Sequence, residues 1–341
     1  MKTLIVGGDF GNIPKSSNII NKIGLEFSES QIINGGKLES LPIKIDSDLI
    51  IWMPNISNEN VKQYPIKTTG NVLIVSKVMR DGYTIVDAVE RIFKMHGNAV
   101  IAIYKEDVFR FKLIDALGNI WYDGTDLELL CYGIKNIYDF TKNAIRCRTI
   151  NTCVEPYCRK VINDEEINKI ELADFIEINK SLSNYIQTSC GERFFGNLST
   201  RCSKLFPSIR NGGIYVSPRN INKEHITMFD MVYCVNGFVN NEVFYTGDRK
   251  PSVDAPIQLQ IYKYCSQVNY LIHGHAFIDG TLETKKYFLC GDLREAKEVI
   301  EIIGDNKFGT INLKKHGFLL FSDTIENMKS VIDGLTFSYR R

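Results

Sequence analysis

The sequence has little that would tie the protein to a special environment. Its 41 basic and 40 acidic side chains nearly cancel, so it lacks the broad charge with which proteins bind nucleic acids or anionic membranes. No apolar run approaches the length of a membrane span, and the stretch after Met1 is too short for a signal peptide. Nine cysteines at irregular spacing match no disulfide framework. These absences predict a cytoplasmic protein without a nucleic-acid or membrane partner.

The length of 341 residues suits two domains. Residues 1–145 alternate short runs rich in Ile and Val with helical patterns, which is typical of a doubly wound, Rossmann-like α/β domain. A helix is predicted over residues 84–95, stopped by Gly97, and a hairpin over residues 110–122. Strands are predicted at Thr3–Val6, Leu49–Met53, Val72–Val75 and Ala99–Tyr104.

Two segments of this first domain are candidates for binding an anion. The turn with Gly7, Gly8 and Gly11 follows the first strand, where α/β domains often hold phosphates. It lacks a complete Gly-x-Gly-x-x-Gly pattern, so a tight structural turn is the alternative. Lys77 and Arg80 follow the third predicted strand, and they either hold an anion at the same edge or are solvated loop charges.

Residues 146–163 show no periodic apolar face and are predicted to be a linker. A helix is expected to begin near Asp164 and to open a second domain over residues 164–341. The last helix of this domain is predicted at residues 324–335, capped from Ser322 or Asp323. The strand-rich pattern between these helices predicts a central sheet.

The most informative residues of the second domain are His273 and His275, in the apolar run 269–277. Side chains two residues apart on a strand point to the same face, so both imidazoles project to one place. A catalytic metal site commonly has three protein ligands. The chain has five histidines, and His316, in a second strand-like run, is the natural third ligand. Ordinary hydrogen-bonded strand histidines are the alternative that the spacing leaves open.

Six motifs follow one another in the second half of the chain. They are Gly196-Asn-Leu-Ser-Thr-Arg201, Ser217-Pro-Arg-Asn220, Asp230-Met-Val232, Pro251-Ser-Val-Asp254, His273-Gly-His275 and His316-Gly317. In this order they resemble the class II aldolase and adducin family, over about residues 165–341. The resemblance implies an α/β/α domain with a central, mainly antiparallel sheet.

The resemblance also implies the roles of individual residues. It implies a zinc or similar divalent ion on His273, His275 and His316, with Asp254 as the acid/base catalyst and as a candidate fourth ligand at rest. For a phosphorylated substrate it implies binding by Asn197, Ser217, Arg219, Asn220 and Ser252. The chain departs from the family pattern in having Asp for Glu at 254, Asn for Gly at 220 and Gln258 where many members carry His. The shorter Asp254 side chain retreats by about 1.5 Å on an unchanged backbone.

These implications predict a metal-dependent, aldolase-type lyase that acts on a small phosphorylated sugar or ketose. A dehydratase, an epimerase or a decarboxylase would begin from the same metal-stabilised enolate, and the sequence does not separate them. A non-catalytic, adducin-like interaction protein is the alternative of another class, although the three histidines are retained here. By resemblance we also expect a homo-oligomer, specifically a tetramer.

Overall fold

A computed structural model describes residues 1–8, 14–34, 46–56, 71–152, 166–186, 189–190, 193–201, 213–236 and 241–339. The chain folds into two compact units, Met1–Asn143 and Ala144–Arg341. Within these described segments, no helix combines the length and the apolar character that crossing a bilayer would require.

The first unit is built on a seven-stranded sheet in the order β2-β1-β3-β4-β5-β6-β7. The five strands from β2 to β5 run parallel, and β6 and β7 extend the sheet as an antiparallel hairpin. The strands are β1 (Lys2–Gly7), β2 (Glu29–Asn34), β3 (Leu49–Trp52), β4 (Val72–Met79), β5 (Ala99–Tyr104), β6 (Arg110–Asp115) and β7 (Ile120–Gly124). The described helices of this unit are α1 (Pro14–Leu25), α2 (Ile85–Met95) and α3 (Leu127–Lys142).

Both faces of this sheet are buried, which explains why β3 and β5 read as continuous apolar runs. Apolar residues of α1 and α3 share one core cluster with alternate residues of the strands, among them Ile5, Ile51 and Ile101. The other strand residues, such as Ile50, are equally buried. The α2 helix lies outside that cluster and contacts β4 and β5, so it covers the opposite face.

Two local features differ from the sequence prediction. The α2 helix ends in the left-handed conformation at His96 (φ 55°), one residue before the predicted stop at Gly97. Gly97 follows, with its amide donating a 2.8 Å hydrogen bond to the carbonyl oxygen of Ile92, and a Cβ there would lie 3.3 Å from the carbonyl oxygen of Leu73. Strand β4 continues to Met79, so Lys77 lies inside a strand and only Arg80 follows it.

The second unit is built on an eight-stranded sheet in the order β17-β18-β15-β11-β12-β13-β14-β8. All neighbours are antiparallel except β14 and β8. Its strands are β8 (Arg148–Asn151), β11 (Asn197–Arg201), β12 (Ile214–Val216), β13 (Val232–Asn236), β14 (Glu242–Thr246), β15 (Tyr270–Gly274), β17 (Gly309–Leu313) and β18 (Gly317–Ser322). Two short pairs accompany it: β9 (Ser189–Cys190) with β10 (Arg193–Phe194), and β16 (Phe277–Ile278) with β19 (Phe337–Ser338).

The predicted linker over residues 146–163 is wrong for its first part, because Arg148–Asn151 form the edge strand β8. This strand pairs in parallel with β14, where Glu242 lies opposite Arg148. A short edge strand that is only half buried shows little apolar periodicity, which is why the sequence pattern missed it. Residues 153–163 lie outside the described segments.

Two helical layers cover this sheet. The described helices are α4 (Glu166–Ser181), α5 (Ser183–Ile186), α6 (Ala255–Tyr264), α7 (Arg294–Ile303) and α8 (Ile325–Ile332). Residues of α4, α5 and α8 share a core cluster with Tyr270 and Ile272 of β15, whereas α6 and α7 share another with Leu271. Because side chains alternate along a strand, His273 faces the side of α6 and α7.

The predicted cap of the last helix is wrong, and that of α4 is not described. The last helix begins at Ile325, and Thr324 caps it because its hydroxyl accepts a 3.1 Å hydrogen bond from the amide of Asn327. The predicted caps Ser322 and Asp323 do not fill this role, since the Ser322 hydroxyl donates to the carbonyl oxygen of Thr324 instead. The predicted cap Asp164 lies outside the described residues, and α4 begins at Glu166.

Candidate metal centre

Three histidines converge at one end of the second sheet. His273 lies near the end of β15, in register with Asn197 and Leu319 of the two neighbouring strands. His275 follows β15, and His316 ends the tight turn between β17 and β18, where its amide donates to the carbonyl oxygen of Leu313. One ring nitrogen from each histidine lies within 4.8 Å of the other two. The three ring centroids are 4.8 to 5.4 Å apart.

The glycine after His316 makes this convergence possible. Gly317 has a φ of 150°, and a Cβ built on it would lie 2.0 Å from the carbonyl oxygen of Gly274 and 2.8 Å from the Cα of His275. The backbone of the turn therefore packs directly against the backbone of the His-Gly-His segment. No other residue fits there without displacing one of the histidines.

Hydrogen bonds set the direction of two of the three rings. The Nδ1 atom of His273 lies 2.9 Å from the carbonyl oxygen of Phe318, and the Nδ1 atom of His316 lies 3.0 Å from the Glu295 carboxylate. Each Nδ1 therefore faces an acceptor, which leaves Nε2 as the nitrogen available to a ligand. The Nε2 atom of His273 is buried and has no hydrogen-bond partner among the described residues.

These observations fit a divalent metal. Imidazole ligands of metals usually donate their other ring N–H to a carboxylate or a backbone carbonyl, as both histidines do here. An orphaned buried nitrogen is costly unless a ligand satisfies it. An ideal tetrahedral zinc site would place its nitrogens about 3.3 Å apart, so an ion held by all three rings would require them to lie closer together.

The electrostatic environment shifts the pKa values of the three histidines in different directions. Burial, reinforced by His316, lowers the pKa of His273 to about 4. Burial also lowers the pKa of His275 well below its usual value. For His316 burial acts downward too, but Cys290 and Glu295 outweigh it and raise its pKa well above the usual value. The first two imidazoles are thus neutral and ready to bind a metal near pH 7, whereas His316 must first lose a proton.

Asp254 lies beside this cluster without joining it. Its Oδ2 atom is 4.0 Å from the Nε2 atom of His273. The same oxygen accepts a 2.9 Å hydrogen bond from the side-chain amide of Asn197, and Oδ1 accepts a 2.8 Å bond from the backbone N–H of Gly291. These two donors fix the orientation of the carboxylate next to the orphaned nitrogen.

The side chains predicted to bind phosphate make local contacts in this structure. Asn197 is buried, with its amide donating to Asp254 and its oxygen accepting from Gln258. The Ser217 hydroxyl accepts from the amide of Leu198, and that of Ser252 accepts from the amide of Asp254.

The two remaining predicted residues of this group also contact the backbone. Arg219 donates through Nε to the carbonyl oxygen of Pro251, and the Asn220 side chain accepts from the amide of Phe194. Asn220 has the positive φ (56°) expected at a position where Gly is common. The phosphate-binding role of the whole group stays a prediction.

The anion site predicted in the first unit is only partly within the described residues. Gly7 is the last residue of β1 and Gly8 follows it, whereas Gly11 is not described. The Lys77 ammonium lies over the ring of Tyr83, 4.6 Å from its centroid, and burial lowers its pKa. Arg80 is exposed at the end of β4.

Three residues near the histidines were missed by sequence reasoning. Glu295 belongs to α7 and is 2% exposed, Cys290 lies in the preceding segment, and Lys223 is completely buried. Burial, with Arg249 as a second cause, lowers the pKa of Lys223 to about 7, and Asp254 acts in the opposite direction. Each is a single residue outside any spaced pattern. The burial of these side chains beside the histidines is known only from the fold.

Residues 176–282 match the family model of the class II aldolase and adducin N-terminal domain. The match confirms, over that range, the resemblance that the motifs predicted. No protein of curated function matches the chain.

Several solved structures are similar to about half of the chain. A putative aldolase/epimerase/decarboxylase from Escherichia coli is 16% identical, with 49% of this chain and 87% of that chain covered and a TM-score of 0.35. An L-fuculose 1-phosphate aldolase is 19% identical, with 50% and 81% covered and a TM-score of 0.36. A class II aldolase domain from Thermoplasma acidophilum is 15% identical, with 50% and 90% covered and a TM-score of 0.33. At identities and TM-scores this low, we infer nothing about activity from these structures.

Proposed function

We propose that the second unit, whose residues 176–282 match the class II aldolase and adducin family, is a divalent-metal-dependent lyase of the aldolase type. Its substrate is a small phosphorylated sugar or ketose, and zinc is the expected metal. The observation that carries this proposal is the convergence of three imidazoles within 4.8 Å, beside a carboxylate 4.0 Å from an orphaned Nε2.

His273, His275 and His316 would hold the ion. When bound, it would supply positive charge against which negative charge can develop on a substrate oxygen. Asp254 is placed to move a proton, because both of its oxygens are held by N–H donors and Oδ2 faces the histidines. In the cleavage direction the carboxylate accepts the proton of the substrate hydroxyl next to the carbon–carbon bond that breaks.

Positive charge near Asp254 supports an anionic substrate. Asp254 acts electrostatically on both Arg219 and Lys223, and Arg249 acts on Lys223. Arg249 also donates to the carbonyl oxygens of Arg219 and Asn220, which ties its guanidinium to the same loop. Because Arg219 and Arg249 lie at this loop, a phosphate or a substrate carboxylate would balance the positive charge there.

Dehydratase, epimerase and decarboxylase activities need the same metal and the same carboxylate, and the adducin-like interaction protein needs neither. The test is elemental analysis of the purified protein, followed by incubation of the zinc-loaded protein with a panel of ketose 1-phosphates. We expect one divalent ion per chain and release of dihydroxyacetone phosphate. Metal without release of a carbon fragment would exclude the aldolase reaction, and failure to take up any metal on reconstitution would exclude the metal-dependent enzyme altogether.

Replacing Asp254 with Asn tests the proton-transfer role. We expect turnover to fall by about 100-fold or more, since an amide cannot accept the proton, while the metal content stays near that of the unmodified protein. Asp248→Asn, in the exposed loop after β14, is a matched control. Equal loss of metal and activity in Asp254→Asn would make the residue a ligand rather than a base.

For the first unit we propose a doubly wound, Rossmann-like domain that binds an anionic ligand. Support comes from the parallel strand order β2-β1-β3-β4-β5, whose carboxyl ends bring Gly7, Gly8 and Arg80 to one edge of the sheet. Thermal unfolding of the protein with a panel of nucleotides and sugar phosphates tests it. If no ligand of the panel gives a stabilisation that depends on Arg80, the proposal is excluded.

Assembly into a homo-tetramer is likewise proposed and is tested by light scattering.

A further inference from the structure

A cysteine lies directly against the histidine cluster. The Sγ atom of Cys290 is 3.3 Å from the Nε2 atom of His316. Because Nδ1 of His316 is occupied by Glu295, this Nε2 is the nitrogen directed into the cluster. At this distance Sγ and Nε2 share one proton in a hydrogen bond.

The spacing is that of two ligands of one ion. Zinc–sulfur and zinc–nitrogen bonds of about 2.3 and 2.05 Å at a tetrahedral angle place sulfur and nitrogen about 3.6 Å apart. The observed 3.3 Å is close to this value. The orphaned Nε2 atom of His273 independently indicates that the histidine cluster lacks a ligand.

The Asp254 carboxylate, next to the histidine cluster, is hydrogen-bonded to groups outside the cluster. Both oxygens of Asp254 accept hydrogen bonds, and one of the donors is the N–H of Gly291, the residue after Cys290. A Cβ on Gly291 would lie 2.6 Å from a side-chain atom of Val253 and 3.0 Å from its carbonyl oxygen, so the segment packs tightly against the Asp254 loop. The same two-residue segment thus holds the Asp254 carboxylate through Gly291 and places the Cys290 thiol against His316.

We propose that Cys290 is the fourth protein ligand, completing a centre of three histidines and one cysteine. This rests on the proposed function, in which the three histidines hold a divalent ion. On binding, the proton shared by Cys290 and His316 would leave to solvent, and an electron pair of the resulting thiolate would form the metal–sulfur bond. A centre with four protein ligands is closed at rest. Substrate binding therefore requires either a fifth position or displacement of the thiolate.

Cobalt substitution tests the proposal without relying on turnover. The metal-free protein is loaded with Co²⁺, and bound cobalt is quantified while the near-ultraviolet absorption is recorded. We expect one cobalt per chain and an intense sulfur-to-cobalt charge-transfer band. The band should be absent in Cys290→Ser and unchanged in Cys147→Ser, a control at another half-buried cysteine of the same unit.

X-ray absorption of the zinc-loaded, unmodified protein tests the same bond if Cys290→Ser fails to fold. We expect one sulfur neighbour at about 2.3 Å in addition to nitrogen neighbours at about 2.0 Å. Bound metal with only nitrogen and oxygen neighbours, and no charge-transfer band, would refute the role of Cys290 and leave the three-histidine site intact. Absence of any bound metal would refute the proposed function itself.

Discussion

The most direct test of the electrostatics around the site is to replace Lys223 with Met, which keeps the length of the side chain and removes its charge. Lys223 is completely buried, and its ammonium donates a 3.0 Å hydrogen bond to the carbonyl oxygen of Ile221. Burial is the main cause that lowers its pKa from 10.5 to about 7. The folded protein therefore pays a free-energy cost for this charge that the unfolded chain does not.

The sign and size of the effect follow from linkage. Between pH 7 and 10.5 the unfolded chain binds a proton at Lys223 that the folded chain does not, so this residue makes stability rise with pH over that window. Below pH 7 both states are protonated and the cost is fully present. At about 1.36 kcal/mol per pKa unit, the full difference corresponds to about 5 kcal/mol. We expect Lys223→Met to raise the free energy of unfolding by about 2 to 5 kcal/mol at pH 6 and to lose this advantage progressively toward pH 10.

Urea unfolding of the metal-free protein, followed by far-ultraviolet circular dichroism between pH 6 and 10, measures the effect. Both tryptophans, Trp52 and Trp121, lie in the first unit, so their emission identifies the transition that belongs to that unit. Lys297→Met, at an exposed position of α7, is the matched control and should follow the unmodified protein at every pH. A Lys223→Met variant that is less stable at pH 6, or whose stability difference does not change with pH, would refute the reasoning.

Two further predictions concern the support of the metal ligands. Glu295→Gln should weaken metal binding by about 10- to 100-fold in a competition titration with a chelator, because it removes the carboxylate that orients His316. Glu301→Gln, on the exposed face of the same helix, should leave the affinity unchanged, and equal behaviour of the two variants would contradict the assigned role. Gly317→Ala should destabilise the second unit by about 3 kcal/mol or more, since its Cβ would lie 2.0 Å from a backbone oxygen. Gly280 also has a positive φ but open space around it, so Gly280→Ala should lower the free energy of unfolding by only about 1 to 2 kcal/mol in the same denaturation assay. Similar decreases at both positions would show that the close approach of Gly317 to Gly274 is unimportant.

The sequence predicted the strands of the first unit well because they are buried on both faces. The four predicted runs all correspond to parallel strands, and the hairpin is observed as β6 and β7. The pattern failed where burial is one-sided or partial. Strand β8 was taken for a linker, since half-buried edge residues carry no clear period. Strand β4 is longer than predicted because Ser76 and Lys77 interrupt its apolar run.

In the second unit the sequence indicated which residues would meet but not how they are held. The His-x-His spacing places both imidazoles on one side of a strand, and the ordered motifs added His316 and Asp254. The acceptors that orient the rings, Glu295 and the carbonyl oxygen of Phe318, are paired with them only by the fold. Hydrogen bonds between residues far apart in the chain leave no periodic signal.

By itself, therefore, the sequence determined that the candidate centre is a cluster of histidines suited to a metal. Ligand chemistry depends on residue identity, and the spacing of two residues along a strand fixes whether their side chains share a face. The tertiary structure decided the surroundings. It brought the thiol of Cys290 to His316, tied Asp254 to Gly291 and Asn197, and buried Lys223 beside them. Burial and distance belong to the packed chain, and they set the pKa values and the ligand set on which the chemistry of such a site depends.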